Sequence, residues 1–351
     1  MTQEKTKGHP RLADIAADVG VSIVTVAKVL HSTGGKNTRV SAATANKIKA
    51  SATRLNYHPN MVARQLAGKK SGVIGVLIDS GAPPIYHQLL LNMEKYAEEH
   101  SFKLMIGNVH ENPNKVKEYV NSFIAYGADA LICQAHAYPD IGQELVEYCA
   151  NAIDTVFIGR PEYQPERYCY VDFNIESVVR QAVKILLEQG RKRLGMFVLG
   201  GYFQAPSMNR RCVAFRNALT TAGIEYDHNL IKTIPHTDVM NKDKFLPLIR
   251  DLVENRKVDA IINANDYLAA MTVKSLLQLK IEIPRQVAVI GTDDIDIASL
   301  LTPTLSTFSC NQDACAKALI ETAEKLINKQ EMTPDQRARL FDPIYIRRET
   351  T

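Results

Sequence analysis

The stretch LADIAADVGVSIVTVAKVL, residues 12–30, leaves the chain little conformational choice. Leu12, Ile15, Ala16 and Val19 recur at i, i+3, i+4 and i+7, the apolar face of a first amphipathic helix. Gly20 follows, where a helix can stop on a left-handed residue. The continuation GVSIVTVAKVL holds six β-branched residues (Val21, Ile23, Val24, Thr25, Val26 and Val29) and by propensity reads as a strand. Alternation contradicts that reading: Ser22, Val24, Val26, Lys28 and Leu30 would share one face and Ile23, Thr25, Ala27, Val29 and His31 the other, both mixed. Helical spacing sorts them better, with Val26, Val29 and Leu30 as an apolar stripe and Ser22 as N-cap. Ile23 and Val24 are then left pointing at solvent.

Two helices joined across Gly20-Val21-Ser22 are too close for an antiparallel hairpin, and Ala16 is small where the second must cross the first. Such a helix-turn-helix puts the N-terminal residues of its second helix at the base edges of the DNA major groove. Ile23 and Val24 suit thymine methyls there, and Lys28 suits guanine O6/N7 or phosphate. The competing reading is an ordinary helical hairpin with a solvated face. Charge favours DNA. The first seventy residues carry twelve Lys/Arg against three acids, a net +9 in a chain of net +4, so the remainder is at −5. A basic head on a mildly acidic body is the footprint of a polyanion binder. An anionic membrane would need a free apolar face, and helix packing uses the head's apolar residues.

Ser41 caps a third head helix, AATANKIKASATRL, with Ala45, Ile48, Ala52 and Leu55 buried. The intervening HSTGGKNTR reads as a loop, solvated or near phosphate. Pro59 blocks continuation and Asn60 can cap a short helix over about 61–67, too short to stand alone. Arg64, Lys69 and Lys70 surround Leu66 with positive charge. The segment is either a plain linker or a helix that folds on DNA, with Leu66 as a minor-groove wedge.

Beyond residue 70, apolar runs (GVIGVLI, FKLMIGNV, ADALICQ, TVFIG, RLGMFVLG, AIINAN, VAVIGTD) alternate with amphipathic segments such as 86–99, 175–189, 208–222 and 266–280. This is βαβ logic with parallel sheets. The number of runs suits two α/β lobes, whose cleft at the strand carboxyl ends would take a small molecule. Enzyme signatures are missing: there is no G-x-G-x-x-G after a strand, no P-loop spacing in AGKKSG and no G-x-S-x-G elbow. Six cysteines form no CxxC, and His and Cys show no metal spacing, so no cofactor and no metal is expected. Asp293 and Asp294 of GTDD could be an acid/base pair, but at a strand end a ligand-hydroxyl acceptor is the better reading. MTQEKTKGHP has no apolar h-region and no run reaches transmembrane length, from which a cytoplasmic protein is expected.

LADIAADVGVSIVTVAKVL, RVSAATANKIKASATRLNYHPN and ARQLAGKK resemble the head and hinge of the lac repressor family, and RRCVAFRNAL, NANDYLAA, VAVIGTDD and LTPTLSTF extend the resemblance from about residue 11 to 350. It implies an all-α helix-turn-helix head and hinge helix joined to a periplasmic-binding-protein-like core of two α/β lobes with parallel sheets. The expected divisions are a head at 1–58, a hinge at 59–70, a first lobe at 71–171 plus 309–335, and a second at 172–308 plus 336–351. The implied function is a ligand-controlled transcriptional regulator, a repressor that binds a pseudo-palindromic double-stranded operator as a homodimer. No heptad repeat follows the core, so a dimer is expected rather than a coiled-coil tetramer. DNA contacts are expected from Arg11, Ser22, Ile23, Val24, Thr25, Lys28, His31, Asn60, Arg64 and Leu66. The effector, a sugar or sugar derivative, is expected at Tyr86, Arg160, Arg211, Asn265 and Asp293, with Arg160 and Arg211 acting together if it carries a carboxylate. Rival readings are a DNA binder controlled by a protein partner and an exported sugar-binding protein without a DNA role. The chain departs from the family where Arg11 replaces a capping Thr, Lys28 an Arg, Ala214 a Gly and Thr292 an aromatic, and where Gly34-Gly35 lengthens a loop.

Overall fold

The computed structural model describes residues 10–31, 40–57, 70–78, 85–109, 112–134, 141–200, 210–235 and 238–351. They fall into two units, one ending at Lys70 and one running from Ser71 to Thr351.

Among the described residues the head contains three helices: α1 (Leu12–Val19), α2 (Ile23–His31) and α3 (Ala42–Arg54). Ile15, Ala16, Val26 and Ile48 are its buried centre, with Leu12, Val19, Val29, Leu30, Ala52 and Leu55 packed around them. Gly20 adopts φ 70° at the end of α1, and a Cβ there would meet nothing within 4 Å. The glycine is therefore required by the backbone conformation and not by crowding. The Val21 amide closes the turn on the Ala16 carbonyl at 3.0 Å. Ser22 caps α2 by accepting from the Thr25 amide at 3.1 Å, and Ser41 caps α3 by accepting from the Thr44 amide at 3.1 Å. Asp18 of α1 accepts from the Ser51 hydroxyl of α3 at 2.5 Å and pairs with Arg54, which holds its carboxyl below the ordinary value.

The second unit is built on two six-stranded sheets. The first has β1 (Val73–Ile78), β2 (Lys103–Asn108), β3 (Ala130–Cys133), β4 (Thr155–Ile158), β5 (Cys169–Asp172) and β11 (Ala338–Leu340), ordered β11-β5-β4-β3-β1-β2 and parallel throughout. Side chains alternate across it as the pleat requires. Ile74, Val76, Ile132, Val156 and Val171 face α4 (Ile85–Glu99) and α12 (Gln312–Ile327). Leu77, Leu131, Phe157 and Tyr170 face α5 (Pro113–Ala125) and α6 (Gly142–Ala152).

The second sheet has β6 (Leu194–Gly200), β7 (Ile231–Pro235), β8 (Ala260–Asn263), β9 (Ala288–Thr292), β10 (Ser306–Ser309) and β12 (Ile344–Ile346), ordered β12-β10-β9-β8-β6-β7. All its pairs are parallel except β12, which runs antiparallel to β10. Helices α7 (Ile175–Glu188), α8 (Arg210–Thr221), α9 (Lys242–Arg250), α10 (Asp266–Gln278) and the short α11 (Ile297–Leu300) enclose its core.

The chain passes between lobes three times: after β5, after β10 and between β11 and β12. The third passage corrects the expected boundary at 336. Ala338–Leu340 pair with Tyr170–Asp172 in the first sheet, so the return to the second lobe comes at 341–343. The run ARLFDPIYI hides this because its two strands have three residues each. Five strands beyond the expected seven runs are present, β5, β7, β10, β11 and β12, all short or mixed in polarity. The hinge segment 59–70 lies outside the described residues up to Lys70, and so do the wedge and cap expected there.

Candidate functional site

In the head, the apolar stripe of α2 is consumed by the core and its N-terminal residues are not. Val26 is fully buried while Ile23 is 50% and Val24 73% exposed. Two adjacent aliphatic side chains thus project from the first turn of a buried-faced helix. Ser22 and Thr25 are partly committed to each other, their hydroxyls 2.8 Å apart. Thr25 and Lys28 are half-buried on the same helix. Arg11 precedes α1 without capping it through its side chain; its amide instead donates to Asp14 at 2.6 Å, leaving the guanidinium outside the cap. The side chain of His31 and all of Asn60, Arg64 and Leu66 lie outside the described residues.

The second unit carries its polar side chains where strands end. Each sheet winds the same way, with its first strand flanked by its second and third, so each has a switch point at the carboxyl ends where a crevice forms. Tyr86 stands in the first turn of α4, after β1, and its hydroxyl accepts from Gln134, just past β3, at 2.7 Å. Burial pushes that hydroxyl up to about 12, and the charges of Arg211, Asp293 and Asp172 also reach it. Asp293 follows β9. Burial foremost, and then the charge of Asp266, push its carboxyl well above the usual range, while Arg211 opposes them. The charges of Arg211 and Asp293 in the second lobe thus reach Tyr86 of the first.

Asn265 lies past β8 and caps α10, its Oδ1 accepting from the Leu268 amide at 2.8 Å. What it can offer a ligand is its amide Nδ2. Arg160, past β4, is exposed, and its charge acts on Tyr170 and Glu176. Arg211 acts on Tyr86 and Asp293 instead. Ala214 is buried in the second core, and Thr292 donates its hydroxyl to the Asn263 carbonyl at 3.0 Å.

Sequence reasoning missed five contributors: Arg210, Asp172, Glu176, Gln312 and Asp266. Arg210 donates to Asp172 at 2.7 Å and to both oxygens of Glu176 at 2.7 and 2.6 Å. Burial would raise the Glu176 carboxyl, but the hydrogen bonds and charge of Arg210 hold it below its ordinary value. The ion-pair network at this edge thus belongs to Arg210, which pairs with both Asp172 and Glu176. Gln312, in the first turn of α12, donates to the Asp293 carbonyl at 2.9 Å. Asp266 is fully buried and accepts from the Thr307 hydroxyl at 2.6 Å and the Ile295 amide at 3.0 Å. The Arg-Arg doublet was a signal for Arg210; its acid partners, 38 and 34 residues away, gave none. All six cysteines are buried and unbridged. Among the described residues no group of His, Cys, Asp and Glu could hold a metal, and no helix is long and apolar enough to cross a membrane.

Comparison with known proteins agrees with this arrangement. Residues 11–60 match the family described as bacterial regulatory proteins, lacI family, and residues 183–351 match a periplasmic binding protein-like domain. The HTH-type transcriptional regulator GalS of Salmonella typhimurium is 28% identical over 314 residues, spanning 89% of this chain and 88% of its own. A lac repressor dimer bound to operator and the anti-inducer ONPF superposes with a TM-score of 0.82 at 22% identity, covering 98% of this chain and 99% of that one. A complex of the transcriptional regulator CelR with cellobiose has a TM-score of 0.69 at 21% identity, covering 98% and 100%. At these identities the structural likeness is one of fold.

Proposed function

The chain belongs to the LacI family of bacterial regulatory proteins, transcription regulators rather than enzymes, and on that premise we propose that it is a repressor whose hold on a pseudo-palindromic operator is set by a sugar in the interlobe cleft. One observation carries the effector half of this reading: Tyr86 from the first lobe and Arg211 and Asp293 from the second act electrostatically on one another at the strand carboxyl ends. An aromatic body beside a donor and an acceptor suits a polyhydroxylated ring, whose hydroxyls both donate and accept. The complex of a relative in fold with cellobiose supports the same chemistry. Exposed Ile23 and Val24 on a basic helix-turn-helix head support the DNA half. The homodimer is supported by the operator-bound dimer among the similar structures and by exposed Met240, Tyr267, Leu277 and Leu300 in the second lobe.

Coupling requires that the ligand favour one interlobe angle over another, since equal affinity for both would shift nothing. The test uses the full chain with a duplex selected from a random library. A sugar that raises the melting temperature and changes duplex affinity reciprocally supports the reading. Duplex affinity unaffected by every sugar that binds would leave a DNA binder controlled by a protein partner.

A further inference from the structure

Asp172 ends β5 at the first passage between lobes and is 1% exposed. Its Oδ2 receives Arg210 at 2.7 Å. Its Oδ1 is buried and has no hydrogen-bond donor, a state shared among the described residues only by Tyr168 Oη and Arg337 Nε, which lie before β5 and on the four-residue α13 (Pro334–Arg337). A buried anionic oxygen without a donor is costly and calls for a compensating partner.

The oxygen is also held in place. The Asp172 carbonyl is tied to the Phe341 amide at 3.0 Å, and Arg210, which fixes Oδ2, is itself anchored on both oxygens of Glu176. The pleat puts Asp172 on the Tyr170 face of β5, and its charge reaches the hydroxyls of both Tyr86 and Tyr170. Asp172 therefore stands at the carboxyl end of β5, at the first passage between the lobes, with one oxygen clamped and one unpaired. Such preorganisation lowers what a ligand must order on binding.

We infer that Asp172 is an effector-binding residue whose unpaired Oδ1 accepts the hydroxyl hydrogen of a neutral sugar, with Arg210 as its positioning clamp. The inference rests on the effector-cleft reading above and narrows it. A hydroxyl supplies the missing donor, whereas a ligand carboxylate at that point would set two anionic oxygens against each other.

The test is calorimetry of the full chain with D-ribose, D-galactose, sucrose and cellobiose, for the parent, Asp172→Asn and Asp172→Ser, with melting curves taken without sugar. A sugar that binds the parent should bind Asp172→Asn roughly 10- to 100-fold more weakly, the range for losing a hydrogen bond to a charged group. The sugar-free melting temperature should stay close to the parent's in Asp172→Asn, whose amide oxygen still accepts from Arg210, itself still paired with Glu176. Of the monodeoxy derivatives of that sugar, one should lose affinity for the parent but lose no further affinity for the variants, the coupling that direct contact requires. Equal sugar affinity in the parent and either folded variant overturns the inference and leaves the cleft reading intact. Failure of all four sugars to bind the parent overturns the sugar reading and this inference with it. A loss of affinity accompanied by a core-sized fall in melting temperature in both variants assigns Asp172 to structure and overturns the inference alone.

Discussion

The side-chain amide of Gln312 donates to the main-chain carbonyl of Asp293 at 2.9 Å, and the two residues come from different lobes. Gln312 opens α12, which packs in the first core; Asp293 follows β9 of the second sheet. Asp293 and Asp294 both have positive φ, 109° and 53°, in a conformation that costs non-glycine residues about 1–3 kcal/mol each. The turn is held on the second-lobe side by the Asp293 amide on the Phe308 carbonyl at 2.8 Å and by Arg348 on Asp294 at 2.7 Å. Gln312 is its tie to the first lobe, so a change in interlobe angle acts directly on the backbone of a cleft residue.

Gln312→Ala is therefore expected to weaken the link between sugar binding and operator affinity more than it weakens folding. Stability should fall by about 1 kcal/mol, the net worth of one neutral hydrogen bond. Duplex binding with and without a bound sugar measures the link. A variant whose sugar and duplex affinities remain coupled as in the parent shows that the bond carries no interlobe signal.

Asp266 makes folding pH-dependent in a defined direction. Burial raises its carboxyl to about 7 from an ordinary 3.8. Between those values the folded chain holds a proton that the unfolded chain has released. The stability fully present below about pH 4 is thus lost as pH rises through 7, by about 1.4 kcal/mol per unit at most, and changes no further above it. Asp293 is raised in the same sense, so the informative quantity is the parent minus Asp266→Asn. Asparagine can keep the Ile295 amide as donor and donate to the Thr307 hydroxyl, which rotates to accept. Denaturant unfolding from pH 4 to 8 should show a shallower slope in the variant. Identical slopes would mean that Asp266 is ionised in the fold throughout.

The head was legible because its determinants are local. Gly20, Ser22 and the i, i+3, i+4 stripes lie within twenty residues and answer to backbone geometry alone. The strands that coincide with clear apolar runs were legible for the same reason, whereas β5 and β10–β12 take their strand character from neighbours distant in sequence. Within the site, Tyr86, Asn265 and Asp293 could be read as residues at strand ends. The clamp of Arg210 on Asp172 and Glu176 and the reach of Gln312 across the lobes could not, because nothing in spacing pairs them. Arg160 rests on the resemblance alone, and its charge acts on Tyr170 and Glu176.

Exposure of Ile23 and Val24 separates recognition from folding. Replacing both with Ser should change head stability within about 0.5 kcal/mol, as expected for surface positions. Affinity for the selected duplex should fall, and replacing thymine with uracil at the contacted positions should weaken the parent but not the variant. Anisotropy titrations over a salt series add a second measure, since each neutralised phosphate contributes about −0.9 to the log–log slope. A salt slope that survives while thymine discrimination disappears is the expected result. A melting temperature lowered as by a core truncation would instead show that these side chains are packed.

The outer face of α10 should be where a second copy docks. Tyr267 and Leu277 are exposed on it, and Met240 and Leu300 are exposed beside it, Leu300 at 78%. Ala270, Lys274 and Leu301 line the groove between them. Large apolar side chains grouped on one surface mark an interaction site, and in a two-fold dimer the same patch meets itself. Leu300→Glu would bring two like charges toward the symmetry axis while removing apolar area from water-exposed surface, so the monomer should fold no less stably. Sedimentation velocity at micromolar concentration should then show a monomer where the parent is a dimer. Duplex affinity should fall with it, since two heads no longer engage two half-sites together. A Leu300→Glu protein that remains dimeric and binds duplex as the parent does would move the interface to another face.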